Sequence, residues 1–132
     1  AKERCAGKKN IWVNDFITQM EYAYAAGDVL ISRSGAMSVS EICVAKKPVV
    51  FVPFPFAAED HQTVNAKKLV DRNAAMMVKD SEAEDKLVAT VIALAKDEAK
   101  QNELKINIAP LAISNADEVV AKEILKTLES NQ

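Results

Sequence analysis

Three short stretches carry residue types that could hold a phosphorylated sugar. The first is residues 32–41, "SRSGAMSVSE", which leaves one apolar run, "DVLI", and enters another, "ICVA". Gly35 permits a sharp turn and a close approach of ligand to backbone. A helix starting just after it offers unpaired N–H groups and a positive dipole end, which suit a phosphate or diphosphate. The turn residues are Ser34, Gly35, Ala36, Met37 and Ser38. Glu41 lies further along the same helix, roughly 9 Å from Gly35 at 1.5 Å per residue. That is about the reach from a phosphate to the hydroxyls of a nucleotide's sugar, and a carboxylate suits a vicinal pair of them. A second reading is purely structural. Ser38 to Glu41 fits a capping box, and Ser34 or Ser38 then serves only as an N-cap.

The second stretch is residues 59–65, "EDHQTVN", at the start of an expected helix. His61, Gln62 and Asn65 could read the hydroxyls and amide of a sugar. The alternative is a capped first turn, with Asp60 as the cap and the rest solvated. The third stretch is "NDFI", residues 14–17. Here Phe16 or Ile17 could flank a base while the backbone reads its edge; alternatively the pair packs in the core.

The elements that must position these loops alternate. Strands are expected over residues 10–13, 28–32, 48–53 and 74–78, and helices over 17–26, 37–45, 60–72, 82–95, 97–105 and 116–128. Gly27 would cap the first of these helices, and Ser114 or Asn115 would cap the last. On the 60–72 helix, Val64, Leu69 and Val70 form the apolar side. The strands are short, apolar throughout and rich in β-branched residues, as strands are when both faces are covered. Strict alternation implies an α/β fold, a parallel sheet with helices on both faces. In such sheets ligands sit beyond the carboxyl ends of the strands, which is where all three stretches fall.

The 132 residues make one domain, and 49% are hydrophobic, enough for a sizeable core. A formal charge of -2 with scattered basic residues gives no reason to expect a nucleic-acid partner. No run approaches the ~18 apolar residues of a membrane span. The polar start, "AKERCAGKKN", is not a secretory signal, and without an initiator Met it reads as an excised fragment. Cys5 and Cys43 have no motif spacing, so two free thiols in a reducing cytosol are expected. No Asp-x-Asp pair occurs, so neither a metal nor a cofactor is expected.

The segment from "WVNDFITQM" to "AAMMV" resembles the donor-binding half of the MurG family of glycosyltransferases. The likeness runs from about Ile11 to the C-terminal helix. It is carried by "DFI…M…Y…GDV", "SRSGAMSVSE", "PVVFVPFP" and "DHQTVNA", in order and at the right spacing. That family transfers N-acetylglucosamine from UDP-N-acetylglucosamine to the undecaprenyl-linked muramyl-pentapeptide, making lipid II for peptidoglycan.

The resemblance implies part of the C-terminal Rossmann-like domain of a GT-B fold, and an inverting reaction. It implies that the Ile17 backbone, beside Phe16, reads the uracil edge and that Glu41 holds the ribose hydroxyls. The 34–38 turn would approach the diphosphate and ribose, and Gln62, with His61 and Asn65 near it, would contact the N-acetylglucosamine. The family's first strand of this domain, its glycine-rich loop and its acceptor half are missing. The lipid-linked acceptor and the catalytic base would therefore belong to an absent N-terminal domain, and no catalytic residue is expected here. The chain alone should be inactive. The full-length protein would sit peripherally on the cytoplasmic face of the bacterial inner membrane. Two rival readings are the donor subunit of a split transferase and a flavodoxin-like domain that only mediates protein contacts.

Overall fold

The structure, a computed structural model, describes residues 2–57 and 60–113. The expected helix over 116–128 and its caps lie outside them.

A three-stranded parallel sheet forms the centre, in the order β1 (Leu30–Ser32), β2 (Val49–Phe51), β3 (Met76–Met77). Pairing sets Ile31 beside Val50 and Val50 beside Met76, so these three side chains share one face. Leu30, Val49, Phe51 and Met77 share the other. The chain crosses from β1 to β2 through α3 (Ala36–Ala45) and from β2 to β3 through α4 (His61–Val70).

Two apolar clusters follow from this arrangement. On one face Ile42 and Cys43 of α3, with Ala66 and Leu69 of α4, bury against Val49 and Phe51. Burial pushes the Cys43 thiol pKa up, which makes it an inert core residue. On the other face Leu94 of α5 (Ala83–Lys96) and Leu104 of α6 (Glu98–Ile108) bury against Val50 and Val78. Asp97 caps α6, accepting from the Lys100 N–H at 2.9 Å. β2 is buried at every position because helices cover both its faces, as its unbroken apolar run implies.

Residues 10–13 depart from expectation. They form no strand, and Trp12 is 71% exposed. A strand needs a neighbour to take its N–H and C=O groups, and among the described residues β1 pairs only with β2. The helix that follows is also shorter than expected. It is α2 (Met20–Ala26), after α1 (Lys2–Cys5), and Gly27 ends it without a left-handed φ. On α4 the buried face is Ala66 and Leu69, and Val64 turns outward. Among the described residues no helix is long and apolar enough to cross a membrane.

Candidate functional site

The loops leaving β1 and β2 meet at the start of α4, and Gln62 ties them together. Its side-chain oxygen accepts from the Ser34 N–H at 3.2 Å and from the Phe54 N–H at 2.9 Å. Two N–H donors facing one amide oxygen fix which way the amide points, so its NH₂ faces away from both. The Ser34 hydroxyl donates to the Gln62 carbonyl at 2.8 Å, and the Asn65 side chain donates to the Ser34 carbonyl at 3.2 Å. Ser34 is wholly buried, with its hydroxyl and both backbone groups engaged. Ser34, Gln62 and Asn65 are therefore the frame of the site as much as its surface. His61 is exposed at the first position of α4.

Arg33 reinforces the same rim. Its guanidinium donates to the carbonyls of Val52 and Pro53 at 3.1 and 3.2 Å and pairs with Asp80 beyond β3. It also lies 5.6 Å from the Phe54 ring centroid. Sequence reasoning gave Arg33 no role, because nothing in the sequence places Asp80 beside it.

The turn after Ser34 bears on the capping reading of Glu41. Gly35 is the N-cap of α3, with no side-chain cap, and Ser38 lies inside the helix. The capping-box expectation is thus overturned. Glu41 does not reach back to the helix start; its carboxylate accepts from the Tyr24 hydroxyl at 2.8 Å. Gly35 itself has φ -61 and ψ 151, which any residue adopts. Its turn needs no glycine. What the missing side chain leaves is room, since a Cβ there would meet nothing within 4 Å. The first N–H of α3 with a backbone acceptor is that of Val39, bonded to the Gly35 carbonyl. Those of Ala36, Met37 and Ser38 have no partner among the described residues. Three uncapped donors at the carboxyl end of a parallel sheet form an anion-accepting surface.

Glu41 opens onto a groove of about 410 Å³ between α2 and α3, lined by Met20, Glu21, Tyr24, Ser40 and Val44 besides Glu41 itself. The Tyr24 ring packs on the first apolar cluster. Burial, and then the Glu41 carboxylate beside it, push the Tyr24 phenol up to about 12, so it remains a donor. Sequence reasoning assigned neither Met20 nor Tyr24, although both stand in the "M…Y" spacing that precedes "GDV".

Phe16 is 76% exposed, so the core-packing alternative fails for it. Its carbonyl accepts from the Asn14 side chain at 2.7 Å. Ile17 is half-buried, and among the described residues nothing bonds its N–H or C=O. It lines a broad groove with Trp12, Asn14 and Tyr22 beside α2. The hydrogen bonds thus unite Ser34, Gln62 and Asn65 and link Glu41 to α2. Among the described residues they do not tie Phe16 to either group.

Comparison with known proteins gives a single direction. Residues 1–124 match the glycosyltransferase family 28 C-terminal domain. A protein of Bacteroides thetaiotaomicron is 51% identical over 128 residues, covering 96% of this chain and 34% of its own length. It is named UDP-N-acetylglucosamine--N-acetylmuramyl-(pentapeptide) pyrophosphoryl-undecaprenol N-acetylglucosamine transferase. A protein of the same name from Flavobacterium psychrophilum is 43% identical, over 96% of this chain and 35% of its own length. The crystal structure of Acinetobacter baumannii MurG superposes with a TM-score of 0.78 at 34% identity, over 88% of this chain and 33% of that one. The chain spans about a third of the length of the curated relatives it matches.

Proposed function

Because this chain belongs to the glycosyltransferase family 28 C-terminal domains, we propose that it is the donor-binding domain of a GT-B N-acetylglucosaminyltransferase. The donor is UDP-N-acetylglucosamine, and the acceptor is the lipid-linked muramyl-pentapeptide that becomes lipid II. The observation that carries the reading is the pairing of an uncapped α3 start with a Glu41 carboxylate that no cap consumes.

Each residue has a task in this reading. The N–H groups of Ala36, Met37 and Ser38, beside the open space over Gly35, hold the diphosphate. Glu41 accepts from the ribose hydroxyls. The Ile17 backbone, next to exposed Phe16, reads the uracil edge. The amide NH₂ of Gln62, its oxygen already engaged, donates to the N-acetylglucosamine, with His61 and Asn65 alongside.

An acceptor hydroxyl attacks the anomeric carbon from the opposite side, with inversion. Charge then develops on the departing UDP, where the α3 N–H groups stabilise it. The acceptor's proton goes to a base outside this set of residues. The base and the lipid-linked acceptor belong to a further domain of a protein that acts at the cytoplasmic face of the bacterial inner membrane. By itself this chain binds donor without transferring it.

An amide-resolved NMR titration with UDP-N-acetylglucosamine, with UDP-glucose as control, tests the reading. Shifts confined to residues 16–17, 34–41 and 61–65, and weakened by Glu41→Ala, are expected. A dispersed spectrum that does not move at millimolar nucleotide sugar would sink it.

A further inference from the structure

We propose that Tyr24 is a positioning residue for the nucleotide's ribose: its hydroxyl holds the Glu41 carboxylate in the orientation that meets the two sugar hydroxyls. This rests on the reading of Glu41 as the ribose ligand and adds to it the means by which a surface carboxylate becomes selective. Glu41 is exposed on α3, and among the described residues Tyr24 is its hydrogen-bond partner. A free glutamate at such a place samples many rotamers, and ordering it on binding costs affinity. Tyr24 removes that cost in advance. Its partly buried side chain packs against the first apolar cluster, as Leu30 and Val39 do. Its hydroxyl reaches one carboxylate oxygen, Oε2, at 2.8 Å. The other oxygen, and one lone pair of Oε2, remain for a ligand in the groove that both residues line. With its pKa pushed up to about 12, the phenol stays protonated, and so a donor, well above neutral pH.

The test is calorimetric binding of UDP and of 2′,3′-dideoxy-UDP to the full-length gene product and to its Tyr24→Phe and Glu41→Ala variants. Phenylalanine keeps the ring in the core, and a thermal melt checks that it does. The wild type should prefer UDP. Tyr24→Phe should weaken UDP by roughly three- to tenfold, the loss expected when a side chain must be ordered on binding. It should leave 2′,3′-dideoxy-UDP, which has neither hydroxyl for Glu41, nearly unchanged, so that the ratio of the two affinities falls. Equal weakening of both ligands would mean a structural role only and would overturn the proposal. So would an unchanged ratio in Tyr24→Phe where Glu41→Ala abolishes the preference, although Glu41 would then keep its role. If Glu41→Ala also leaves the ratio intact, the ribose reading fails and the Tyr24 inference falls with it.

Discussion

At the scale of single residues, the site depends on where a few polar atoms spend their bonds. Gln62 gives its oxygen to two backbone N–H groups from different loops. Gln62→Ala strands the buried Ser34 N–H, and the melt should show a loss of about 1–3 kcal/mol. Gln62→Glu keeps an acceptor there, so it should melt near the wild type while losing sugar affinity. Tyr24 gives a pH signature. Its folded pKa is raised, so its contribution to stability is complete below about 10 and fades as the pH climbs toward about 12. The unfolded chain ionises first in that window, which favours unfolding. Denaturant midpoints measured from pH 9 to 12 should fall less steeply in Tyr24→Phe than in the wild type. Glu41 was legible as a candidate because its type and distance from Gly35 suit a sugar. The choice between ligand and cap was not legible. The partner that takes Glu41 away from the helix start lies seventeen positions away on another helix, and Ser38 with Glu41 satisfies the capping-box pattern on paper.

Among the elements, α3 presents unpartnered N–H groups at its first turn, and Gly35 leaves the space over them open. Alanine fits the Gly35 backbone angles and has empty space for its methyl. Gly35→Ala should therefore cost no more than about 1 kcal/mol in the melt. It should nonetheless weaken UDP by about tenfold, because the methyl occupies the approach to the three N–H groups. Equal UDP affinity would remove the diphosphate from this turn. Helix periodicity and the apolar runs made α3 to α6 and all three strands legible within a few residues. The expected strand at 10–13 was not, because an apolar run specifies a strand only where a neighbour takes its hydrogen bonds. The Ile11 and Trp12 side chains are exposed instead.

For the whole molecule, the sheet is better covered at its centre than at β1. Ile31 is 53% exposed on the face that α5 covers elsewhere, and among the described residues the outer edge of β1 has no partner strand. Such an edge invites pairing with another copy. Light scattering of the isolated chain should detect self-association that Ile31→Lys reduces, with little change in the melt since the position is exposed. The alternation of elements made the layered architecture readable. The joining of two loops through one glutamine was not, since it depends on contacts between segments remote in sequence. That assembly also bears on how a ligand arrives. With Ser34, Phe54 and Gln62 already bonded to one another before anything binds, the rim has no gap to close. Stopped-flow mixing with a fluorescent uridine nucleotide should then give one exponential phase, its rate rising linearly with concentration and never levelling to a plateau.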